Sequence, residues 1–394
     1  MLQEERPQEG RTASAGMRGE GIRSDCWVQV EESTAQPQIL LTSKVAAFYG
    51  GAIRRQIAET LQALNASDLT VTLEDSGALP FTISARIEAA VRRLRPDTTQ
   101  TSVSPLNSAA QSSSSRERLR RSRLYLPGNT PKFFINAGLH RPDAVILDLE
   151  DSVPISEKDA ARLLVRNTLR AVDFYGAERM VRVNRLPDGL EDIRLLAGQG
   201  VDLFVLPKVE SAEEIIAVDQ QLNELNAPCF LLPILESAKG VLHAYSIASA
   251  SPRVVALTIG LEDYTADLGA QRTLKGRESY WARSQVVNAA RAAAVQPLTS
   301  VFSNIDDADA LLTWLKAERS LGFEGAGCLH PRQVAVIHSA FAPEADEIER
   351  AKEIVGAFER SLAVGQAVVR LNGMMIDAPV VARAQRVLRA GERV

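Results

Sequence analysis

From Arg123 onward, short apolar runs that end in polar residues alternate with longer amphipathic stretches. The runs are RLYLPG (Arg123–Gly128), AVILDLED (Ala144–Asp151), RMVRVN (Arg179–Asn184), LFVLPK (Leu203–Lys208), CFLLPILES (Cys229–Ser237), VVALTIG (Val254–Gly260), PLTSVFSN (Pro297–Asn304) and GAGCLH (Gly325–His330). Near-continuous apolar runs mark strands buried on both faces, and the stretches between them carry helical periodicity. Eight strand-then-helix units predict an α/β fold with a closed parallel sheet, a (β/α)₈ TIM barrel.

The N-terminal quarter follows a different pattern. CWVQVE (Cys26–Glu31) and PQILLTSK (Pro37–Lys44) predict strands joined by a polar turn. Val45, Phe48, Ile53, Ile57, Leu61 and Leu64 fall at helical spacing, Leu69–Asp75 alternates like a half-buried strand, and Ile83–Leu94 predicts a closing helix. This is a small α+β unit. Between it and the barrel, Pro96–Ser115 is rich in Ser, Thr and Pro and too polar to bury much surface, which predicts a flexible tether. The predicted order is a disordered tail (1–14), the small domain (15–95), a linker (96–116) and the barrel with a C-terminal helical segment (117–394).

Composition narrows the class. A net charge of −4 over 394 residues disfavours a nucleic-acid partner, which needs a basic face. The polar start MLQEERPQEGRT has no apolar core of a secretion signal, and no apolar run approaches the length of a membrane span. Cys26, Cys229 and Cys328 lack CxxC spacing, so neither a zinc site nor a disulfide frame is expected. The expected compartment is the cytoplasm.

Candidate chemistry lies at the strand ends, where a barrel of this kind builds its active site. The second run ends in Asp148, Glu150 and Asp151, the third carries Arg182 and Asn184, and the fourth ends in Lys208 and Glu210. Glu236 closes the fifth, and Glu262 and Asp263 follow the sixth. Carboxylates at the edge of buried strands are costly unless a cation faces them. Glu236 and Asp263, on adjacent strands, are the hard oxygen pair expected of a Mg²⁺ site; capping a helix N-terminus is the alternative use. Arg182 either grips a substrate carboxylate bidentately or pairs with Asp148 or Glu150. Lys208 either neutralises the rim or contacts a substrate acid. His330 closes the eighth run without a catalytic constellation around it.

These blocks, together with RRSRLYLPGN (Arg120–Asn129), VILDLEDSVPISEKDAAR (Val145–Arg162), LESAKG (Leu235–Gly240), IGLEDYTADLG (Ile259–Gly269) and MMIDAPVV (Met374–Val381), resemble the citrate lyase β-subunit family of acyl-thioester lyases. The resemblance implies a Mg²⁺-dependent carbon–carbon lyase that splits a 3-hydroxyacyl thioester into an acyl thioester and a 2-oxo acid. Glu236 and Asp263 would hold the metal, Arg182 would hold the 2-oxo acid, and Asp148 would lie beside the metal's waters. Arg121 and the turn at Gly128 would face the thioester arm, and Asp377 would supply a proton from a C-terminal segment. Members often carry Lys where this chain has Ala326 and Met374, which bears on the substrate more than on the reaction. Oligomers are usual in the family, so a homo-oligomer such as a trimer is implied.

The small domain resembles the acyl carrier γ subunit of citrate lyase, through Lys44–Asn65, Asp68–Leu94 and Ala15–Glu31. That likeness implies a dephospho-CoA-derived arm on Ser24, although Arg23 falls where the modified serine would stand. An α-type transferase subunit is a further implied partner. Three readings follow: a carrier–lyase fusion acting on a citryl thioester, a lyase of free CoA thioesters such as citramalyl- or malyl-CoA with a vestigial carrier, and a non-catalytic assembly subunit.

Overall fold

A computed structural model describes residues 10–32, 36–108, 114–363, 365–366 and 368–391. The N-terminal unit contains β1 (Thr12–Gly16), β2 (Cys26–Glu32), β3 (Ile39–Ser43), α1 (Ala46–Ala63), β4 (Leu69–Asp75) and α2 (Pro80–Leu94). Its sheet runs β1-β2-β4-β3, antiparallel except for the β3–β4 pair. Residues alternate between buried and half-buried along β4, so one face of the sheet packs on the helices. Pro80 opens α2 at a position where its missing N–H costs nothing.

Two expectations are corrected here. Part of the predicted tail, Thr12–Ser14, belongs to β1: residues 12–16 pair with Trp27–Glu31 through the backbone, a bond that needs no apolar side chain. Residues 1–9 lie outside the described chain. The predicted tether, where described, is fastened. Ser102 N–H donates to Glu88 (3.1 Å), Arg92 to the Gln100 carbonyl (3.2 Å), Arg170 to the Ser104 carbonyl (2.6 Å), and Asn107 N–H to the Arg170 carbonyl (2.8 Å). A polar segment that finds charged side chains on two domains is held without burying apolar surface. Residues 109–113 lie outside the described chain.

All eight predicted barrel strands form: β5 (Ser122–Pro127), β6 (Ala144–Asp148), β7 (Glu178–Arg182), β8 (Leu203–Leu206), β9 (Phe230–Leu235), β10 (Ala256–Ile259), β11 (Gln296–Val301) and β12 (Ala326–Cys328). They close in order, all parallel, with β12 pairing back to β5. The helices around them are α3 (Lys158–Ala171), α4 (Gly189–Leu196), α5 (Ala212–Glu224), α6 (Ala238–Leu242), α7 (Ala244–Ala248), α8 (Leu261–Asp267), α9 (Tyr280–Ala292), α10 (Ala308–Leu321) and α11 (Arg332–Phe341). Inside the barrel, Ile146, Met180, Val205, Leu232, Ile234 and Leu298 form an apolar plug, so chemistry is confined to its ends. At the N-terminal end, the fully buried Arg120–Glu178 pair closes the floor. Beyond the barrel lie α12 (Ala345–Ala363), the hairpin β13 (Val369–Leu371) and β14 (Met374–Ile376), and α13 (Ala378–Gly391), which packs on α12.

The two domains are joined by ion pairs between α2 and α3, one buried and one partly exposed. Arg166 donates both arms of its guanidinium to Glu88 (3.0 and 2.7 Å), with side chains only 2% and 0% exposed. Arg93 clasps Asp159 (2.7 and 2.6 Å) and also reaches the Ser14 and Ser156 carbonyls. The small domain is therefore seated on the barrel. No helix among the described residues is long and apolar enough to cross a membrane.

Candidate active site

At the C-terminal end of the barrel, Asp148 and Arg182 are register partners on neighbouring strands. That pairing sets a two-pronged bridge, Nε to Oδ1 at 2.6 Å and Nη2 to Oδ2 at 2.8 Å. The N–H groups of Glu150 and Ser152 also donate to Asp148. Burial works against its charge, but the Arg182 guanidinium and these amides hold its carboxyl below the usual range. Arg182 Nη1 stands 2.8 Å from Glu150 Oε2, and its guanidinium lies 5.3 Å from the Tyr125 ring centre. Burial depresses the charged form of Arg182, yet the bonds to Asp148 outweigh it and raise its pKa.

Lys208 sits just past β8 with φ at 52°. Its ammonium reaches Glu150 Oε1 (2.7 Å) and Asp151 (3.4 Å), while its backbone N–H donates to Glu236 Oε1 (2.8 Å). Glu236 is 5% exposed, and that amide is its hydrogen-bond partner among the described residues. Asp263, in the first turn of α8, makes no hydrogen bond or ion pair among them. Glu262 beside it is instead engaged by Arg272 (2.5 Å) and Ser303 (2.6 Å). Burial, followed by the charge of Asp263, pushes the Glu236 carboxyl up to about 8.

Glu236 and Asp263 share a cavity of about 140 Å³ with Arg123, Tyr125, Arg182, Thr258 and Ser300. Gly260 forms its wall, because a Cβ there would fall 2.4 Å from Glu236 Oε2. Two carboxylates in one cavity, neither in an ion pair among the described residues, form a donor set that suits a hard divalent cation. Two are fewer than a protein-only cage requires, and no cluster of three or more His, Cys, Asp or Glu able to hold a metal occurs among the described residues. The set therefore fits an ion that keeps water or substrate ligands, as Mg²⁺ does.

Several predicted site residues lie elsewhere or are differently employed. Arg121 precedes β5 and so stands at the barrel floor, where its N–H (2.8 Å) and guanidinium (2.9 and 3.0 Å) bind Asp143. It cannot face a thioester at the opposite end. Gly128 does lie at the rim: its N–H donates to the Asp148 carbonyl at 2.8 Å, and a Cβ would come within 2.4 Å of that oxygen. Asp377 accepts from Val380 N–H (3.3 Å) at the start of α13, and no hydrogen bond or ion pair among the described residues ties it to the rim. His330 accepts the Arg332 N–H at 3.1 Å, a local cap. Glu210 is occupied by Ser237 (2.9 Å) and Lys239 (3.4 Å). Sequence reading passed over Arg123, whose position inside an apolar run was the available signal.

Ser24 is half-buried, with φ at 58° and its N–H on the Ser76 carbonyl (3.0 Å). The next residue, Asp25, is buried and held by both arms of Arg86 (3.0 and 2.9 Å). Arg86 also donates to the carbonyl of Asn129 at 2.9 Å. Asn129 follows Gly128 on the rim loop after β5, so the Ser24 turn lies beside the barrel mouth.

The family model described as HpcH/HpaI aldolase/citrate lyase matches residues 121–331. An acyl carrier model described as malonate decarboxylase delta subunit matches residues 11–94. Citrate lyase subunit beta of Leuconostoc mesenteroides subsp. cremoris is 36% identical over 282 residues, covering 69% of this chain and 93% of that one. The mitochondrial citramalyl-CoA lyase of Homo sapiens is 32% identical over 284 residues, covering 68% and 84%. Among solved structures, the protein CitE of Mycobacterium tuberculosis in complex with magnesium, acetoacetate and coenzyme A superposes with a TM-score of 0.60 at 29% identity, covering 71% of this chain and all of that one.

Proposed function

Because the chain belongs to the HpcH/HpaI aldolase/citrate lyase family, we propose that it is a Mg²⁺-dependent lyase of citryl-type 3-hydroxyacyl thioesters, releasing an acyl thioester and a 2-oxo acid such as oxaloacetate. It is a carbon–carbon lyase acting on acyl thioesters; the metal, the citryl group and the residue roles are our reading. The observation that carries the reading is the Glu236–Asp263 pair, two carboxylates in one cavity at the C-terminal mouth, neither held in an ion pair among the described residues.

Glu236 and Asp263 would hold Mg²⁺, which when bound would polarise the substrate's hydroxyl oxygen and the carbonyl forming from it. The hydroxyl gives its proton to water at the mouth, and the adjacent carbon–carbon bond breaks. Its electron pair passes to the thioester as an enolate, and a proton added at carbon completes the acyl thioester. Arg182 is locked on one edge by Asp148 and faces Glu150 through Nη1, so its guanidinium is fixed in place at the mouth, where it would meet a 2-oxo acid carboxylate. Lys208 offers positive charge at the same rim. Asp377 is the candidate proton donor. Lying on the C-terminal arm, it would act in a neighbouring copy of the chain, which requires a homo-oligomer such as a trimer.

The docked Ser24 turn favours a carrier-linked substrate, with an α-type transferase subunit loading it. The Arg at position 23 favours free CoA thioesters instead. Intact mass after expression in a host that attaches dephospho-CoA-derived arms separates these: an adduct lost in Ser24→Ala supports the first, and an unmodified chain the second. For the reaction itself, the full chain is assayed on citryl-, citramalyl- and malyl-CoA, following 2-oxo acid release with and without Mg²⁺. Release that depends on Mg²⁺ and is lost in Glu236→Gln supports the proposal. Unchanged chemistry in that variant overturns it, and no release from any thioester favours an assembly role.

A further inference from the structure

Arg123, on β5 below Tyr125, is 1% exposed and lines the same cavity as Glu236 and Asp263. Its Nη2 donates to the Thr299 carbonyl at 2.7 Å. Nε and Nη1 have no hydrogen-bond partner, and no carboxylate forms an ion pair with Arg123 among the described residues. Other buried arginines among the described residues are each matched: Arg86 with Asp25, Arg120 with Glu178, Arg166 with Glu88, Arg179 with Asp202, and Arg283 with Glu318. A buried guanidinium without a counter-ion is costly, so the exception asks for an anion from elsewhere. Arg182 cannot serve as that exception, because Asp148 and Glu150 already face it.

An arginine presents a flat fork of donors that fits a carboxylate. A citryl thioester carries two carboxylates, one on the hydroxyl-bearing carbon and one at the end of a CH₂ arm. A citramalyl thioester has a methyl group in place of that arm. We propose that Arg123 receives the carboxylate at the end of the arm and thereby selects thioesters that release a dicarboxylic 2-oxo acid over those that release a monocarboxylic one. The inference rests on the lyase reading above and names the substrate class for it.

The test compares full-length wild type, Arg123→Met and Arg123→Lys on citryl-CoA and citramalyl-CoA with Mg²⁺ present. Arg123→Met is expected to lower kcat/KM for citryl-CoA by roughly 100-fold, within the range for removing one member of a buried charge pair. Citramalyl-CoA cleavage should change little, and Arg123→Lys should restore part of the preference. An equal fall on both thioesters, or none on citryl-CoA, overturns the proposal. If the variants do not fold, calorimetric titration of wild type with oxaloacetate and pyruvate decides: tighter oxaloacetate binding supports the proposal and equal binding overturns it. That titration also stands if wild type cleaves neither thioester, the outcome that would reject the lyase reading itself.

Discussion

The backbone N–H of Lys208 meets Glu236 Oε1 at 2.8 Å, while the ammonium of the same residue holds Glu150 at 2.7 Å. One residue thus orients the candidate metal ligand through its main chain and the neighbouring rim through its side chain. Lys208→Gly keeps the N–H and suits the left-handed backbone at φ 52°. It should retain thermal stabilisation by Mg²⁺ while raising KM. If Mg²⁺ no longer stabilises the variant, the division between main-chain and side-chain roles is wrong.

Gly260 has no room for a side chain beside Glu236. Gly260→Ala should displace that carboxylate, weaken Mg²⁺ binding, and cost turnover up to about 100-fold, the scale of an ångström-sized misplacement. Circular dichroism should show the barrel intact. Wild-type turnover in this variant would argue against Glu236 as a ligand.

Much of this site could be read from the chain. Strands buried on both faces leave unbroken apolar runs, so all eight barrel strands were visible, and the charges at their C-terminal ends pointed to a mouth. Residues near a strand's start were harder. Arg121 and Arg123 differ by two positions, yet one lies at the floor with Asp143 and the other lines the cavity, because β5 begins between them. Local pattern cannot fix a boundary that closely. β1 was missed because TASAG has no apolar alternation and is placed by backbone pairing. The fastening of the connecting segment depends on Glu88, Arg92 and Arg170, which are distant in sequence or lie on other elements.

Glu88 and Arg166 are both removed from water at the domain junction. Glu88→Ala leaves the guanidinium of Arg166 without its main counter-ion, and breaking a buried pair in this way costs about 3–5 kcal/mol. Hydrogen exchange should rise along α2 and α3 before it rises in the barrel strands. Uniform exchange across the whole chain would contradict a localised junction.

His338 places Nε2 2.7 Å from Ser122 Oγ and 3.5 Å from Asp143. Burial lowers its pKa, with Arg121 adding to the effect and Asp143 opposing it. The unfolded chain therefore takes up this proton at a higher pH than the folded one. Stability should fall as pH drops through about 6.5, the ordinary histidine value, and level off below the folded pKa. His338→Gln should flatten that part of a denaturation-midpoint profile between pH 5 and 7.5. An identical slope in the variant would place the titration elsewhere.

The contacts of Arg166 with Glu88, Arg93 with Asp159, and Arg86 with the rim carbonyl of Asn129 make the segment between the two halves a seam rather than a leash. A cut between Ser108 and Ser114 should leave the halves travelling together through a sizing column. Anything carried on the Ser24 turn would then enter from one fixed side, at a local supply that adding residues to the seam does not dilute.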